Sequence, residues 1–269
     1  MLDISYLRWV KDVVNYFGHL PDAVRIYLLF FSIGIGALLD LWMGFAEVKG
    51  FNKHFLLNAR FVITATPIQV IFSFLLIYVF SVQQHQSIGL YYYTPDWGHW
   101  KESPMFVLIF TLVFLDFFEY IYHVIMHQFK RTWMFHAIHH CDMNLDSSTT
   151  LREHPGETTI RMLFLVVVVG IGGVPFWAFI FRQCIQIIFN VVAHSTLRLP
   201  RRLDQLISLI FITPNVHQVH HHFQEPWTNT NYGDILSIWD RMFGTYQSVS
   251  THQELQFGLD SFSEKQETE

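Results

Sequence analysis

Three short stretches of this chain concentrate imidazole. "YHVIMH" sets His123 and His127 four residues apart. "HAIHH" sets His136, His139 and His140 at i, i+3 and i+4, and "HQVHH" repeats that spacing with His217, His220 and His221. On a helix, residues three and four apart share a face, so three helices can aim these eight rings into one space. Polar rings crowded beside apolar surface each need a partner. Metal is the natural one, since neutral imidazole is a common metal ligand. One tetrahedral zinc takes four ligands, so eight rings suit two ions with four or five nitrogens each. Imidazole suits zinc, copper, iron and nickel alike, and ligand type alone does not choose among them. No HExxH of a zinc protease occurs, nor the Glu-x-x-His pair of carboxylate-bridged di-iron bundles.

The elements that must position these rings are membrane spans. Of the 269 residues, 51% are hydrophobic and only 14% charged, against about a quarter charged in an ordinary soluble domain. A span needs about 20 mainly apolar residues, and residues 25–47, 62–82 and 104–126 qualify. Residues 160–193 are apolar but broken by "GIGGVP" at 170–175, which reads as a hairpin with its tip at Gly172–Pro175 and arms of about 24 Å. A hairpin returns the chain to the side it left, so the histidines before and after it face one compartment. The third span places His123 and His127 near its far end.

Lys130, Arg131, Arg152, Arg161, Arg198, Arg201 and Arg202 follow on that side, and the positive-inside rule makes it cytoplasmic. A basic connection at 48–61, with Lys49, Lys53 and Arg60, falls there too; Arg8, Lys11 and Arg25 oppose the assignment. Tyr91, Tyr92, Tyr93, Trp97 and Trp100 suit a headgroup belt at the opposite edge. The N-terminal twenty residues lack the pattern of a signal peptide and read as an amphipathic helix on the membrane surface. The net charge of −5 and the lack of a basic run give no sign of nucleic-acid binding. Cys141 and Cys184, with no CxxC, exclude a disulfide scaffold and a cysteine-based metal site.

The boxes HxxxH, HxxHH and HxxHH among hydrophobic spans resemble the fatty acid hydroxylase/sterol desaturase superfamily of membrane di-iron enzymes. The likeness extends to "DFFEYIYHVIMH" through Asp116 and Tyr120, to "STTLREHPGE", and to "NTNYGDILSIWDRMFGTY", covering roughly residues 105–247. It implies two iron ions, dioxygen as co-substrate, and attack on an unactivated C–H bond of a lipid. Carried over residue by residue, it makes His123, His127, His136, His139, His140, His217, His220 and His221 metal ligands. It adds His194 in "NVVAHSTL", and His154 either as a ligand or as a donor behind the ligands. Where some relatives have a further histidine four residues before His194, this chain has Asn190, which leaves the second ion less fully coordinated or completed by water.

A ligating imidazole normally donates its other N–H to a carboxylate or carbonyl. Asp116 lies on the His123 face of its helix and is expected in that role, with Glu119 there or at the interface. Asp234 and Asp240 either orient the last box or cap and solvate local structure. His222 is expected to point away, and His19, His54, His85, His99 and His252 to lie at the surface. Phenylalanines of "FLDFF" and "FWAFIF" line a lipid slot or face lipid.

The expected protein is an all-α integral membrane protein of about three full transmembrane helices plus a helical hairpin. A cytoplasmic histidine-rich helical cap holds its dinuclear metal site. Residues 1–103 carry the interfacial helix and first two spans, 104–250 the catalytic region, and 251–269 a polar tail. The expected activity is lipid hydroxylation, or desaturation, at the membrane. The chain carries no flavin, nicotinamide or iron–sulfur motif, so electrons come from a separate donor: a ferredoxin, cytochrome b5 or a reductase. The rival readings are a histidine-rich zinc transporter, which would hold its histidines within the spans, and a zinc-dependent membrane hydrolase.

Overall fold

The computed structural model describes residues 12, 16, 20–47, 53–248 and 255–259. In lipid, backbone polar groups must be satisfied within the segment, which favours helices. The order is α1 (Asp22–Glu47), α2 (Lys53–Gln86), the short α3 (Leu90–Tyr93), α4 (Pro104–Gln128), α5 (Lys130–His140), α6 (Pro155–Gly172) and α7 (Phe176–His194), then α8 (Arg201–Ile207), α9 (Pro214–His220) and α10 (Ile238–Phe243). Among the described residues there are no strands, only isolated bridges. Five helices are long and apolar enough to cross a membrane: α1, α2, α4, α6 and α7.

The break at 170–175 is a hairpin, but its arms exceed the sequence expectation. Pro155 opens α6 before the apolar run begins, and α6 and α7 have 18 and 19 residues, or about 27 and 28 Å. That is close to the thickness of a bilayer core. Proline fits the first helical position because its missing N–H would have no helical partner there. Gly173 closes α6 in the left-handed region at φ 64°. Gly89, at φ 118°, crosses this tip so tightly that an added Cβ would stand 2.4 Å from the Gly173 Cα.

The C-termini of α1, α4 and α7 and the N-termini of α2 and α6 therefore meet at one end, opposite the tip. There the Glu47 carboxylate accepts hydrogen bonds from the backbone N–H of Ser147 (2.7 Å) and Thr196 (3.0 Å). The short helices α5, α8, α9 and α10, with 3-10 turns at Ser147–Leu151 and Trp227–Asn229, form a cap over this end. Leu76, Ile77 and Phe80 of α2 pack with Leu115 of α4, Val168 and Val169 of α6, and Phe176 and Phe179 of α7. Phe31, Leu38, Ile63, Ile71, Phe106 and Ile171 point outward and are exposed, an apolar surface of the kind a membrane covers.

Lys53 and Arg60 stand on the first turns of α2 rather than in a connection. The expected N-terminal surface helix and polar tail lie outside the described residues, save positions 12, 16, 20 and 255–259; Lys49, His19 and His252 lie outside them too.

Candidate metal centre

Nine of the expected histidines converge. His123, His127, His136, His140 and His220 form one group; His139, His194, His217 and His221 form the other. Within each group the ligand atoms lie within 4.8 Å of one another. The groups are neighbours: the rings of His140 and His221 stack at 4.5 Å, and those of His136 and His139 stand 5.4 Å apart. Each HxxHH box is divided. From α5, His136 and His140 join the first group and His139 the second; from α9 and its C-cap, His217 and His221 join the second and His220 the first. Residues i and i+4 differ by only about 40° around a helix, whereas i+3 and i+4 differ by about 100°, so one box faces two centres.

The far nitrogen of several rings fixes the tautomer. Nδ1 of His123 meets the Tyr232 carbonyl at 2.9 Å, Nδ1 of His220 the Thr230 carbonyl at 2.7 Å, and Nδ1 of His194 the Asn190 carbonyl at 2.9 Å. Nδ1 of His136 meets Glu157 Oε1 at 2.7 Å. Carbonyl and carboxylate oxygens only accept, so Nδ1 carries the proton in each ring and Nε2 presents a lone pair. Yet Nε2 of His123 and His136 face each other at 3.2 Å, and Nε2 of His127, His140 and His220 are buried without a partner among the described residues. In the second group Nε2 of His194 stands 3.1 Å from that of His139 and 2.9 Å from that of His217. Buried lone pairs converging in this way fit a cation at each centre. Burial first, then neighbouring imidazoles, holds His139, His140, His217 and His221 well below the ordinary imidazole pKa and pushes His220 down to about 3. Neutral rings are the form that binds metal.

The loop after α9 supplies two of these carbonyls, of Thr230 and Tyr232, and is itself held in place. Asp240 accepts from the backbone N–H of Tyr232 (2.7 Å) and Gly233 (2.9 Å). Asp116 accepts from the N–H of Ile235 (2.9 Å) and Leu236 (3.2 Å) and from the Trp239 indole (2.8 Å). Asp116 therefore meets no imidazole, contrary to the expectation that it orients one. Its helix position lies too far back from His123, and it anchors the loop whose carbonyls reach the rings. The carboxylate that meets a ring is Glu157, 1% exposed on the first turn of α6. Its sequence signal was an acidic residue opening an apolar run.

His154 belongs to neither group. Its Nδ1 accepts the Gly156 N–H at 3.0 Å as the N-cap of α6, and its ring stacks on Phe135; with Nδ1 accepting, the neutral ring carries its proton on Nε2 and has no lone pair left for a metal. Asn190 contributes its backbone carbonyl to His194, and the residue lines the cavity beside the site. His222 lies outside both groups, against Trp227. His85 and His99 are exposed, but His54 is not a surface residue. Its Nε2 meets Asp142 Oδ1 at 2.7 Å and its Nδ1 meets Asp146 Oδ2 at 3.2 Å, tying α2 to the segment after α5.

A cavity of about 220 Å³ opens beside the rings, reached by His123, His136, His139, His194 and His217. Glu119, Glu153, Glu157, Arg161 and Asp234 also line it. Arg161 pairs with Glu153 at 3.0 Å and Glu157 at 3.3 Å, and the buried Arg182 with Asp234 at 3.4 Å. None of the phenylalanines expected to line a lipid slot or face lipid borders this cavity; Phe114, Phe118, Phe176 and Phe179 pack in the helical core, and Phe181 is exposed, in keeping with the lipid-facing alternative.

The fatty acid hydroxylase family model matches residues 108–245. The chain belongs to the fatty acid hydroxylase family. The match places it in the fatty acid hydroxylase/sterol desaturase superfamily and includes all nine clustered histidines. The chain is 29% identical over 173 residues to an alkylglycerol monooxygenase of Caenorhabditis elegans, covering 61% of this chain and 32% of the relative. It is 28% identical over 172 residues to an ornithine lipid hydroxylase of Rhizobium tropici, covering 64% and 50%. An alkylglycerol monooxygenase of Danio rerio is 30% identical over 166 residues, covering 61% and 36%. The chain thus spans about a third to a half of the length of these relatives. No solved structure gives a significant match. In this family member, α1 and α2 precede the matched region, yet Glu47 and His54 bind directly to its cap.

Proposed function

We propose that this chain is a membrane di-iron oxygenase that hydroxylates a C–H bond of a lipid, with His123, His127, His136, His140 and His220 holding one ion and His139, His194, His217 and His221 the other. The observation that carries the reading is the pair of buried, convergent imidazole groups beside one cavity in a member of this family. Iron would supply the activation of dioxygen that unactivated C–H bonds require. The balanced reaction is RH + O2 + two electrons + two protons giving ROH + water. The protein's own part is placement. Tyr232, Thr230, Asn190 and Glu157 orient the rings, and the cavity beside them would admit the reacting carbon. Hydroxylation is favoured over desaturation because it needs only one C–H bond to be placed.

Residues 104–250 form the catalytic region in this reading. The relatives named for alkylglycerols and ornithine lipids support a lipid substrate. The basic residues around the cap favour the cytoplasmic face by the positive-inside rule, and in this reading a separate ferredoxin, cytochrome b5 or reductase delivers electrons there.

The test is comparative lipid mass spectrometry of cells expressing the intact chain or His136→Ala, with labelled dioxygen. Gain of one labelled oxygen atom in a lipid, lost in the variant, supports hydroxylation, and loss of two hydrogens indicates desaturation. Full activity without oxygen, on protein carrying zinc, would refute the proposal.

A further inference from the structure

A second cavity, of about 200 Å³, lies between α1, α2 and α7 and shares Thr150, Glu153 and Ile187 with the chamber beside the histidines. It sits within the spans: its α1 wall runs from Ser32 to Asp40 and its α2 wall from Val62 to Gln69. Half of its lining is polar, including Ser32, Asp40, Thr66, Gln69 and Gln183. Outward-facing Ile35, Leu38 and Ile63 on the same helices are exposed and apolar. Polar side chains at membrane depth are costly and gather along binding sites or ion paths.

The two chambers also share an imbalance of hydrogen-bonding capacity. Asp40 Oδ1, Glu153 Oε1 and Glu157 Oε2 are buried with no hydrogen-bond partner among the described residues. Glu157 is nine-tenths buried and more, and it lines the first chamber. A carboxylate oxygen only accepts, so these atoms call for donors. The nearby cations are already engaged: Arg161 by Glu153 and Glu157, and Arg152 by the Ile138 carbonyl and Asn58.

We propose that the cavity between α1, α2 and α7 is the head-group subsite for the lipid, taking a head that bears hydroxyl or amine donors, with Asp40 and Glu153 as its acceptors. This rests on the lipid oxygenase reading. The head lies within the spans and the carbon next to it passes Glu153 and Ile187 to reach the histidine chamber. No lysine or arginine among the described residues lines this cavity, so a carboxylate or phosphate head would be buried there without a counter-charge and is rejected.

The test uses the full chain in phosphatidylcholine nanodiscs. The probe is a long-chain 1-O-alkylglycerol with a diazirine beside the ether oxygen, and labelled peptides are mapped by mass spectrometry. Label is expected within residues 32–40, 62–69 or 150–153. Unlabelled alkylglycerol or the chain-matched alkylamine should compete about tenfold better than the chain-matched fatty acid, as expected for lost charge-assisted hydrogen bonds. The better of the first two competitors identifies the head as diol or ammonium. Glu153→Gln should weaken labelling by a similar factor, and Ala37→Leu should do so by filling the space without changing charge, with metal content reporting intact folding. Equal competition by the fatty acid, or unchanged labelling in both variants, overturns the subsite. Oxygen-dependent turnover, measured on the same samples, separates the two readings. Turnover without head-group selection removes the subsite alone, and selective labelling without turnover upholds the subsite and removes the oxygenase.

Discussion

His139 and His140 are adjacent in the chain, with ring centroids 5.6 Å apart and planes at 83°, and they fall in different histidine groups. His220 and His221 repeat the relationship at 5.4 Å and 88°. Because each neighbouring pair straddles the two groups, single substitutions should remove metal selectively. We expect His139→Ala and His140→Ala each to lower the iron content of purified protein toward half of the intact value, with different spectroscopic signatures for the ion that remains. Identical signatures in the two variants would contradict the division.

Glu157 orients His136 through a 2.7 Å contact with Nδ1. Removing the acceptor that holds a ligating ring lowers metal affinity by about 10- to 100-fold. Glu157→Ala should show that loss in chelator competition, and Glu157→Gln, which keeps an acceptor oxygen, should recover much of it. A loss equal in both variants would assign Glu157 to charge rather than to ring orientation.

Asp116 works at one remove. Replacing it with alanine strands two buried backbone donors, on Ile235 and Leu236, and the half-buried Trp239 indole. Each unmade buried bond costs about 1–3 kcal/mol, so Asp116→Ala should destabilise the fold by about 3 kcal/mol or more. Its thermal midpoint should fall together with metal content, whereas Glu157→Ala should lose metal with a smaller change in midpoint. A stable Asp116→Ala protein that has lost only its metal would show that the carboxylate acts on the site directly.

The cap histidines also set a pH dependence. In the folded, metal-free chain the proton affinities of His139, His140, His217, His220 and His221 are lowered by burial and by one another. Unfolded, each ring titrates near 6.5. Below about 6.5 the unfolded chain therefore binds more protons, so the stability held above that pH declines as the pH falls. The midpoint of chelated protein should drop steadily on acidification from neutral pH. A midpoint that rises in acid would mean that these rings are not buried as neutral groups.

Much of the architecture was legible in the residues. Apolar runs identify spans because lipid offers the backbone no partners, and "GIGGVP" marks a turn because glycine and proline end helices locally. The histidine spacing likewise announced shared faces, since helical periodicity is a local property. The length of α6 was underread because its first turn, from Pro155, carries polar residues that hydropathy discounts.

What the sequence determined by itself was that these histidines share helical faces, which helices carry the nine that cluster, and that those helices meet at one end of the bundle. The tertiary structure alone decided how nine rings divide into five and four, which carbonyls fix their tautomers, that Glu157 rather than Asp116 meets a ring, and that His54 is tied to Asp142 and Asp146. Those facts depend on contacts between residues as far apart as His123 and Tyr232. Helical periodicity reaches only a turn or so along the chain, whereas such contacts exist only once the helices have packed.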